Sequence, residues 1–340
     1  MRLVLLTTNM ARGGAETQVA RLAIELKRRG WDVHVVSLIP PSAFEQELAG
    51  AAVPLHSAGV VRLPFVLRRL RPQLVHCHMF HANIAGRLLR LILPFHAVIC
   101  TLHSVAESGR RSDRIRLRDF VYRVTDRLAD VTTAVSQAVA DRHVTARAVR
   151  HARVIANGVD TTRFRRDAAA RARVREQLGL RNEFVWIAVG RLMWKKNYPA
   201  LLEAHSRGTL LIVGTGPDEA GLRALAGPHV RFLGAREDIP DLLNAADAYV
   251  LSSLVEGLPL ALLEAAAVGL PCVATDAGGV RETGIGIVTD TAGLPAAMQQ
   301  IMDLQPDERR ALGEQARSIV EQRYSMNAVV SEWEALYRSM

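Results

Sequence analysis

The sequence predicts an α/β protein made of two doubly wound domains, each built on a parallel sheet, with a helical tail. Three observations carry this. Short apolar runs alternate with amphipathic helical segments. The alternation halts at a turn-rich stretch, residues 157–164, and then restarts. Beyond Thr291 only helical periodicity remains. Strands separated by helices pair in parallel, because each crossover returns the chain to the same end of the sheet, and such a sheet is covered on both faces.

In the first half, residues 3–7, 33–38, 74–77, 97–101, 131–134 and 153–156 read as buried strands, apolar at nearly every position. Helical spacing of apolar residues appears between them at 16–29, 82–93, 115–128 and 137–145. After the turn-rich stretch come a helix at 168–178 and strands at 184–189, 210–213, 230–233, 248–251 and 272–275. Helices at 199–206, 218–226, 239–245 and 259–268 separate them, and 312–324 and 328–337 form the tail. The expected organisation is therefore 1–160, 161–320, and a final segment 321–340.

A chain of 340 residues suits two cores better than one. Hydrophobic residues make up 49% and aromatics only 5%, so Leu, Val and Ala must do the packing. No apolar run approaches the roughly 20 residues that span a bilayer, and residues 1–8 read as a first strand rather than a signal peptide. The three cysteines, Cys77, Cys100 and Cys272, sit in apolar runs and read as buried small hydrophobes, as in a reducing cytoplasm. The net charge of +9 is uneven: residues 1–166 hold 26 Lys and Arg against 12 Asp and Glu, the rest 17 against 22. A basic first half suits an anionic partner, although simple solvation explains it equally well. Nucleic acid is disfavoured, since no aromatic platforms accompany the basic stretches.

Open parallel sheets bind ligands beyond the carboxyl ends of their strands, and the unusual residues cluster there. Gly13-Gly14-Ala15-Glu16 follows the first strand and opens a helix, which lets backbone N–H groups approach an anion, although a plain helix entry reads as well. Gly190-Arg191-Leu192, with Lys195-Lys196 after it, pairs a planar guanidinium with a mobile ammonium, a set suited to a diphosphate. Gly214-Thr215-Gly216 lacks the dinucleotide fingerprint spacing. The strongest element is Glu256-Gly257-Leu258-Pro259 with Glu264: an acid in a strand-end loop, a proline that starts a helix, and a second acid among Leu and Ala inside it.

On these residues, with His103, Ala134-Val135-Ser136 and Asn157-Gly158-Val159-Asp160, the chain resembles the retaining glycosyltransferases of family 4, which have the GT-B fold. The resemblance covers nearly the whole length, and Glu256 and Glu264 match the family's E-x7-E signature. It implies two facing Rossmann-like domains, the first on the acceptor side and the second holding a nucleotide sugar, with the final helix crossing back to the first. Arg191 and Lys196 would hold the donor diphosphate, Glu264 the ribose hydroxyls, and Glu256 the transferred sugar. Gly13, Gly14, Gly190, Gly257, Leu258 and Pro259 would complete the donor site. His103 would approach the reaction centre beside Arg191, Lys196 and Glu256. Glu16, His78 and Ser136 are acceptor-side candidates.

The resemblance further implies a hexosyltransferase that needs no metal and no cofactor beyond a UDP-sugar co-substrate. It would act on a lipid-linked or saccharide acceptor in polysaccharide or glycolipid synthesis, in the cytoplasm or peripherally on the inner membrane face. A sugar-nucleotide epimerase of the same fold and a non-catalytic sugar-nucleotide-binding subunit are the alternatives. A glycosidase dyad would have no use for Arg191 and Lys196. The group His76-Cys77-His78-Met79-Phe80-His81 reads as a loop at a site floor before it reads as a metal centre. Residues 110–127 combine seven arginines with Leu117, Phe120, Val124 and Leu128, a basic amphipathic helix suited either to anionic lipid or to packing on its own domain. One departure from the family stands out. After Gly278-Gly279-Val280-Arg281-Glu282 an extra strand is usual, whereas here residues 284–288 pass almost at once toward the terminal helices.

Overall fold

The computed structural model describes residues 1–105 and 112–340; Arg110 and Arg111 of the basic segment lie outside the described residues. The chain forms two compact units, Met1–Gly158 with Met326–Met340, and Val159–Ser325.

In the first unit, β1 (Arg2–Thr7), β2 (Asp32–Ser37), β3 (Leu55–Ser57), β4 (Leu74–His78), β5 (Ala97–Leu102), β6 (Val131–Ala134) and β7 (Arg153–Val154) make one sheet. Their order is β3-β2-β1-β4-β5-β6-β7, with parallel pairing throughout. Between them run α1 (Gly14–Arg28), α2 (Glu45–Gly50), α3 (Leu63–Leu70), α4 (Phe80–Leu89), α5 (Ser112–Thr125) and α6 (Gln137–Thr145). Successive side chains of a strand point to opposite faces, and two cores result. Leu3 and Leu5 pack with Val19, Leu22 and Leu26 of α1. Val4 and Leu6 pack with Leu63 and Leu67 of α3 and Ala82 and Leu89 of α4.

The second unit holds β8 (Val185–Val189), β9 (Thr209–Val213), β10 (Val230–Gly234), β11 (Ala248–Leu251), β12 (Cys272–Thr275) and β13 (Ile287–Thr289). Their order is β10-β9-β8-β11-β12-β13, again all parallel. Its helices are α7 (Ala168–Gln177), α8 (Tyr198–Ala204), α9 (Glu219–Leu225), α10 (Ile239–Ala245), α11 (Leu260–Val268), α12 (Leu294–Asp303) and α13 (Pro306–Ile319). Strand β13 corrects the expectation that the last strand is missing. It pairs with β12 through Val273–Ile287 and Thr275–Thr289. The connection can be this short because Gly286 has φ +68°, and a Cβ there would lie 2.1 Å from the Cys272 carbonyl oxygen.

The last helix, α14 (Met326–Arg338), returns to the first unit. Met326, Val329, Val330, Trp333, Leu336 and Tyr337 enter the core formed with α1. Arg29 Nη1 donates to Glu334 at 2.6 Å, and Trp31 Nε1 donates to the other oxygen of the same carboxylate at 2.7 Å.

In each sheet the chain builds outward on one side and then crosses to the other. The crossing falls between β1 and β4 in the first sheet and between β8 and β11 in the second. The carboxyl ends of these strand pairs are where an open α/β sheet leaves a crevice.

Candidate functional site

In the second unit the loop after β8 runs from Gly190 through Arg191 to a single turn, Trp194–Lys196. Asn197 then takes the left-handed conformation, φ 48°, a geometry that Asn tolerates better than most residues. That reversal folds Lys196 back over Gly190, so that a Cβ on Gly190 would sit 3.1 Å from Lys196 Cε. The neighbouring β9 loop presses in just as closely. Gly214 has φ +133°, and a Cβ there would fall 2.1 Å from the Gly190 carbonyl oxygen. Gly214 therefore supports the Gly190 loop by close packing.

The loop after β11 is fastened to the same place. Ser252 Oγ donates to the Lys196 carbonyl at 2.7 Å, and the Leu254 amide donates to the Lys195 carbonyl at 2.7 Å. Thr275 Oγ1, from β12, donates to the Ser253 carbonyl at 2.6 Å. On this frame Lys196 Nζ meets Glu256 Oε1 at 2.6 Å, and Ser253 Oγ donates to the same oxygen at 2.6 Å. Both partners of the ion pair are largely withdrawn from solvent, with side-chain exposures of 21% and 13%. Residues 60 positions apart thus form one charged pair at the crossing point of the sheet.

Around this pair, Tyr198 donates from its hydroxyl to the Gly190 carbonyl at 3.1 Å. Burial, with Glu256 nearby, pushes the Tyr198 phenol above its usual range. Tyr249 is also pushed up, by burial first, then by Tyr198, Glu256, Cys272 and Glu264. Both glutamates of the E-x7-E pair are therefore felt by one buried ring. Glu264 itself is half-buried in α11, whose remaining side chains from Leu262 to Val268 are buried. Gly257, Leu258 and Pro259 are buried at the start of that helix, and the Gly257 carbonyl accepts from the Gly279 amide at 3.1 Å. Arg191 is exposed.

In the first unit Gly13 stands before α1 in extended backbone, φ −166°, and Glu16 lies in the first turn. Parallel register sets Thr7, His78, Thr101 and Thr133 side by side at the carboxyl ends of β1, β4, β5 and β6. His103 follows β5, and its Nε2 lies 3.0 Å from His78 Nδ1. Burial lowers the His103 ring to about 4 and holds His78 well below its usual value. His78, expected on the acceptor side, is only 1% exposed and reaches His103 instead. Ser136 is also buried, and its Oγ accepts from the Val139 amide at 3.3 Å as the N-cap of α6. His76 spends both ring nitrogens inside the unit, on Tyr337 and Thr101. Sequence reasoning missed Ser253, Tyr198 and Gly214 as supports. The one available signal was a serine three positions before Glu256, a spacing that lets a hydroxyl reach a nearby side chain.

Two parallel α/β sheets, with a cation, an acid and a glycine-lined loop at the strand crossing of the second, are the arrangement expected of a GT-B glycosyltransferase. Two family models match: "Glycosyltransferase Family 4" over residues 12–163 and "Glycosyl transferases group 1" over residues 183–304. The chain belongs to this family of glycosyltransferases. An Escherichia coli UDP-Gal:alpha-D-GlcNAc-diphosphoundecaprenol alpha-1,3-galactosyltransferase is 30% identical, over 65% of this chain and 62% of its own length. The chain thus spans less than two thirds of that relative. A Bacillus anthracis N-acetyl-alpha-D-glucosaminyl L-malate synthase is 25% identical over 96% of this chain and 93% of its own. Among solved structures, Anabaena HepE in complex with UDP and glucose superposes with a TM-score of 0.89 at 22% identity, over the full length of both chains.

Proposed function

We propose that the protein transfers a hexosyl residue from a UDP-sugar to a lipid-linked or saccharide acceptor, with retention of configuration and without a metal. The observation that carries this reading is the Lys196–Glu256 pair, held by Ser252, Ser253 and the Gly190 loop where the strand order of the second sheet reverses. A sugar diphosphate presents hydroxyls and a dianionic leaving group together, and the pair offers an acceptor for the first and a cation for the second. As the glycosidic bond breaks, negative charge builds on the departing diphosphate. Lys196 and the exposed Arg191 stabilise it electrostatically, the task a divalent ion performs elsewhere. Glu264 takes the ribose hydroxyls and Glu256 the hexose. His103, neutral at physiological pH, hydrogen-bonds the transferred sugar. The names of the relatives support a UDP-sugar donor and a polyprenyl-linked or small-molecule acceptor.

One surface bears on the acceptor. Among the described residues no helix is long and apolar enough to cross a membrane. Helix α5, however, exposes Leu117, Phe120 and Val124 at 63%, 56% and 59%, with Arg114, Arg116 and Arg123 exposed around them. This face suits an anionic lipid surface, where a lipid-linked acceptor would reside.

The deciding experiment measures UDP release from a panel of UDP-sugars with and without polyprenyl-diphosphate-linked sugar, and reads the product anomer by NMR. Release that depends on acceptor, survives EDTA and yields the donor's anomeric configuration is expected. Lys196→Ala and Glu264→Ala should each lower kcat/KM by about a hundredfold or more, the scale of a lost transition-state or charge-assisted contact. Near wild-type rates in both would remove this site assignment.

A further inference from the structure

Beneath His103 the first unit contains a row of buried polar side chains. Tyr337 Oη meets His76 Nδ1 at 2.7 Å, His76 Nε2 meets Thr101 Oγ1 at 2.6 Å, and that hydroxyl meets Thr133 Oγ1 at 2.7 Å. The His78 ring lies against His76, with centroids 4.0 Å apart, while Trp333 packs 4.4 Å from His76. The groups facing the two histidines from β5, β6 and α14 are thus hydroxyls and an indole. Among the described residues, the titratable neighbours that act electrostatically on His78 are His76 and His103. Both rings stay neutral in this setting, so each carries one N–H and one bare nitrogen.

His78 Nδ1 and His103 Nε2 face each other at 3.0 Å, so one of them donates. The other His78 nitrogen, Nε2, is buried with no hydrogen-bond partner among the described residues. Were His103 the donor, His78 would carry its proton on Nε2, leaving a buried N–H without an acceptor at a cost of about 1–3 kcal/mol. With His78 donating from Nδ1, only a lone pair goes unused on Nε2, and unpaired acceptors are tolerated more often than unpaired N–H groups.

We infer that His78 is a positioning residue: it donates its Nδ1–H to His103 Nε2 and so fixes His103 as the Nδ1–H tautomer. His103 then offers substrate a hydrogen-bond donor. Its one lone pair is occupied by His78, so it does not serve as a general base. The contribution to turnover rests on the proposed placement of His103 at the transferred sugar; the tautomer rests on the hydrogen-bond geometry of two buried, neutral rings.

The test uses full-length protein labelled with 15N-histidine and long-range 1H–15N correlation spectra, with His103 assigned by its loss in His103→Gln. His103 should show a protonated Nδ1 and an unprotonated Nε2 in the wild type. His78→Asn, whose amide can donate from nearly the same place, should keep that pattern. His78→Phe should shift His103 toward the Nε2–H form that free imidazoles favour, with kcat lowered about tenfold and donor KM changed much less, as for an interaction made mainly in the transition state. His78→Asn should recover most of that loss. An Nε2–H His103 in the wild type, or His103 signals unchanged in His78→Phe, would overturn the inference. The correct tautomer in the wild type together with full activity in His103→Gln would sustain the His78 assignment and remove His103 from the proposed reaction.

Discussion

Burial keeps four histidines of the first unit neutral. It lowers His103 and His143 to about 4, His143 with help from Arg142, and takes His76 and His78 well below their usual value. In the unfolded chain such rings take up a proton near pH 6.5. The folded state binds fewer protons between those limits, so its stability is full above about 6.5 and falls as the pH drops toward 4. A single ring held at about 4 should cost roughly 2 kcal/mol between pH 7 and pH 5. Urea unfolding at the two pH values should show that loss, and His103→Gln should make the dependence shallower. An unfolding midpoint that does not move between pH 7 and 5 would mean the rings are charged in the fold. At this scale Arg191, Lys196, Glu256 and Glu264 stood out in the sequence because polar residues are conspicuous at the ends of apolar runs. The bonds from Ser253 to Glu256 and from His78 to His103 did not, since they depend on loop closure and on strand register.

Elements were legible in proportion to their length. The strands near residues 3–7 and 97–101 announced themselves by runs of apolar side chains, and α14 by Val329, Val330, Trp333, Leu336 and Tyr337 at helical spacing. Strands β3 and β13 have three residues each, too few for any periodicity to register, and β13 further depends on Gly286 lying against the Cys272 backbone. Helix α5 was legible as basic and amphipathic but not in its orientation. Its inner side carries Tyr122, only 1% exposed and accepting from Asn83 Nδ2, while Arg142 grips Asp119 with both guanidinium arms. The apolar side left outward is Leu117, Phe120 and Val124. Burying each of these in a headgroup layer should contribute about 1.5–3 kcal/mol. The double variant Leu117→Ser, Phe120→Ser should therefore lose flotation with phosphatidylglycerol vesicles while keeping its thermal midpoint. Equal flotation of variant and wild type would show that this face is not what meets lipid.

At the scale of the whole molecule, the chain leaves the first unit at Gly158, within the turn-rich stretch of the sequence, and re-enters it at Met326. The Gly158 amide donates to Gln18 Oε1 of α1 at 3.0 Å, and a Cβ on Gly158 would lie 3.0 Å from Met326 Cα. Exit and return are thus anchored to one another at a single point on the first unit. Trp333, 3% exposed between His76 and Tyr337, is the largest side chain α14 contributes to the first core. Trp333→Ala should destabilise that unit by about 3–5 kcal/mol. Limited proteolysis should then cut within residues 1–158 at lower denaturant than in the wild type, with the second unit's fragment persisting. Uniform resistance across the chain would show that α14 adds little to the first core.

The return of α14 has a consequence for biosynthesis. A ribosome finishes every residue of the second unit before it makes Met326, so the unit begun first is completed last. Until then the core that α1 shares with β1 lacks Met326, Val329, Val330, Trp333, Leu336 and Tyr337, and Arg29 and Trp31 lack Glu334. The nascent chain therefore carries an incomplete first core through the synthesis of the whole second unit, the situation in which apolar surface is exposed longest.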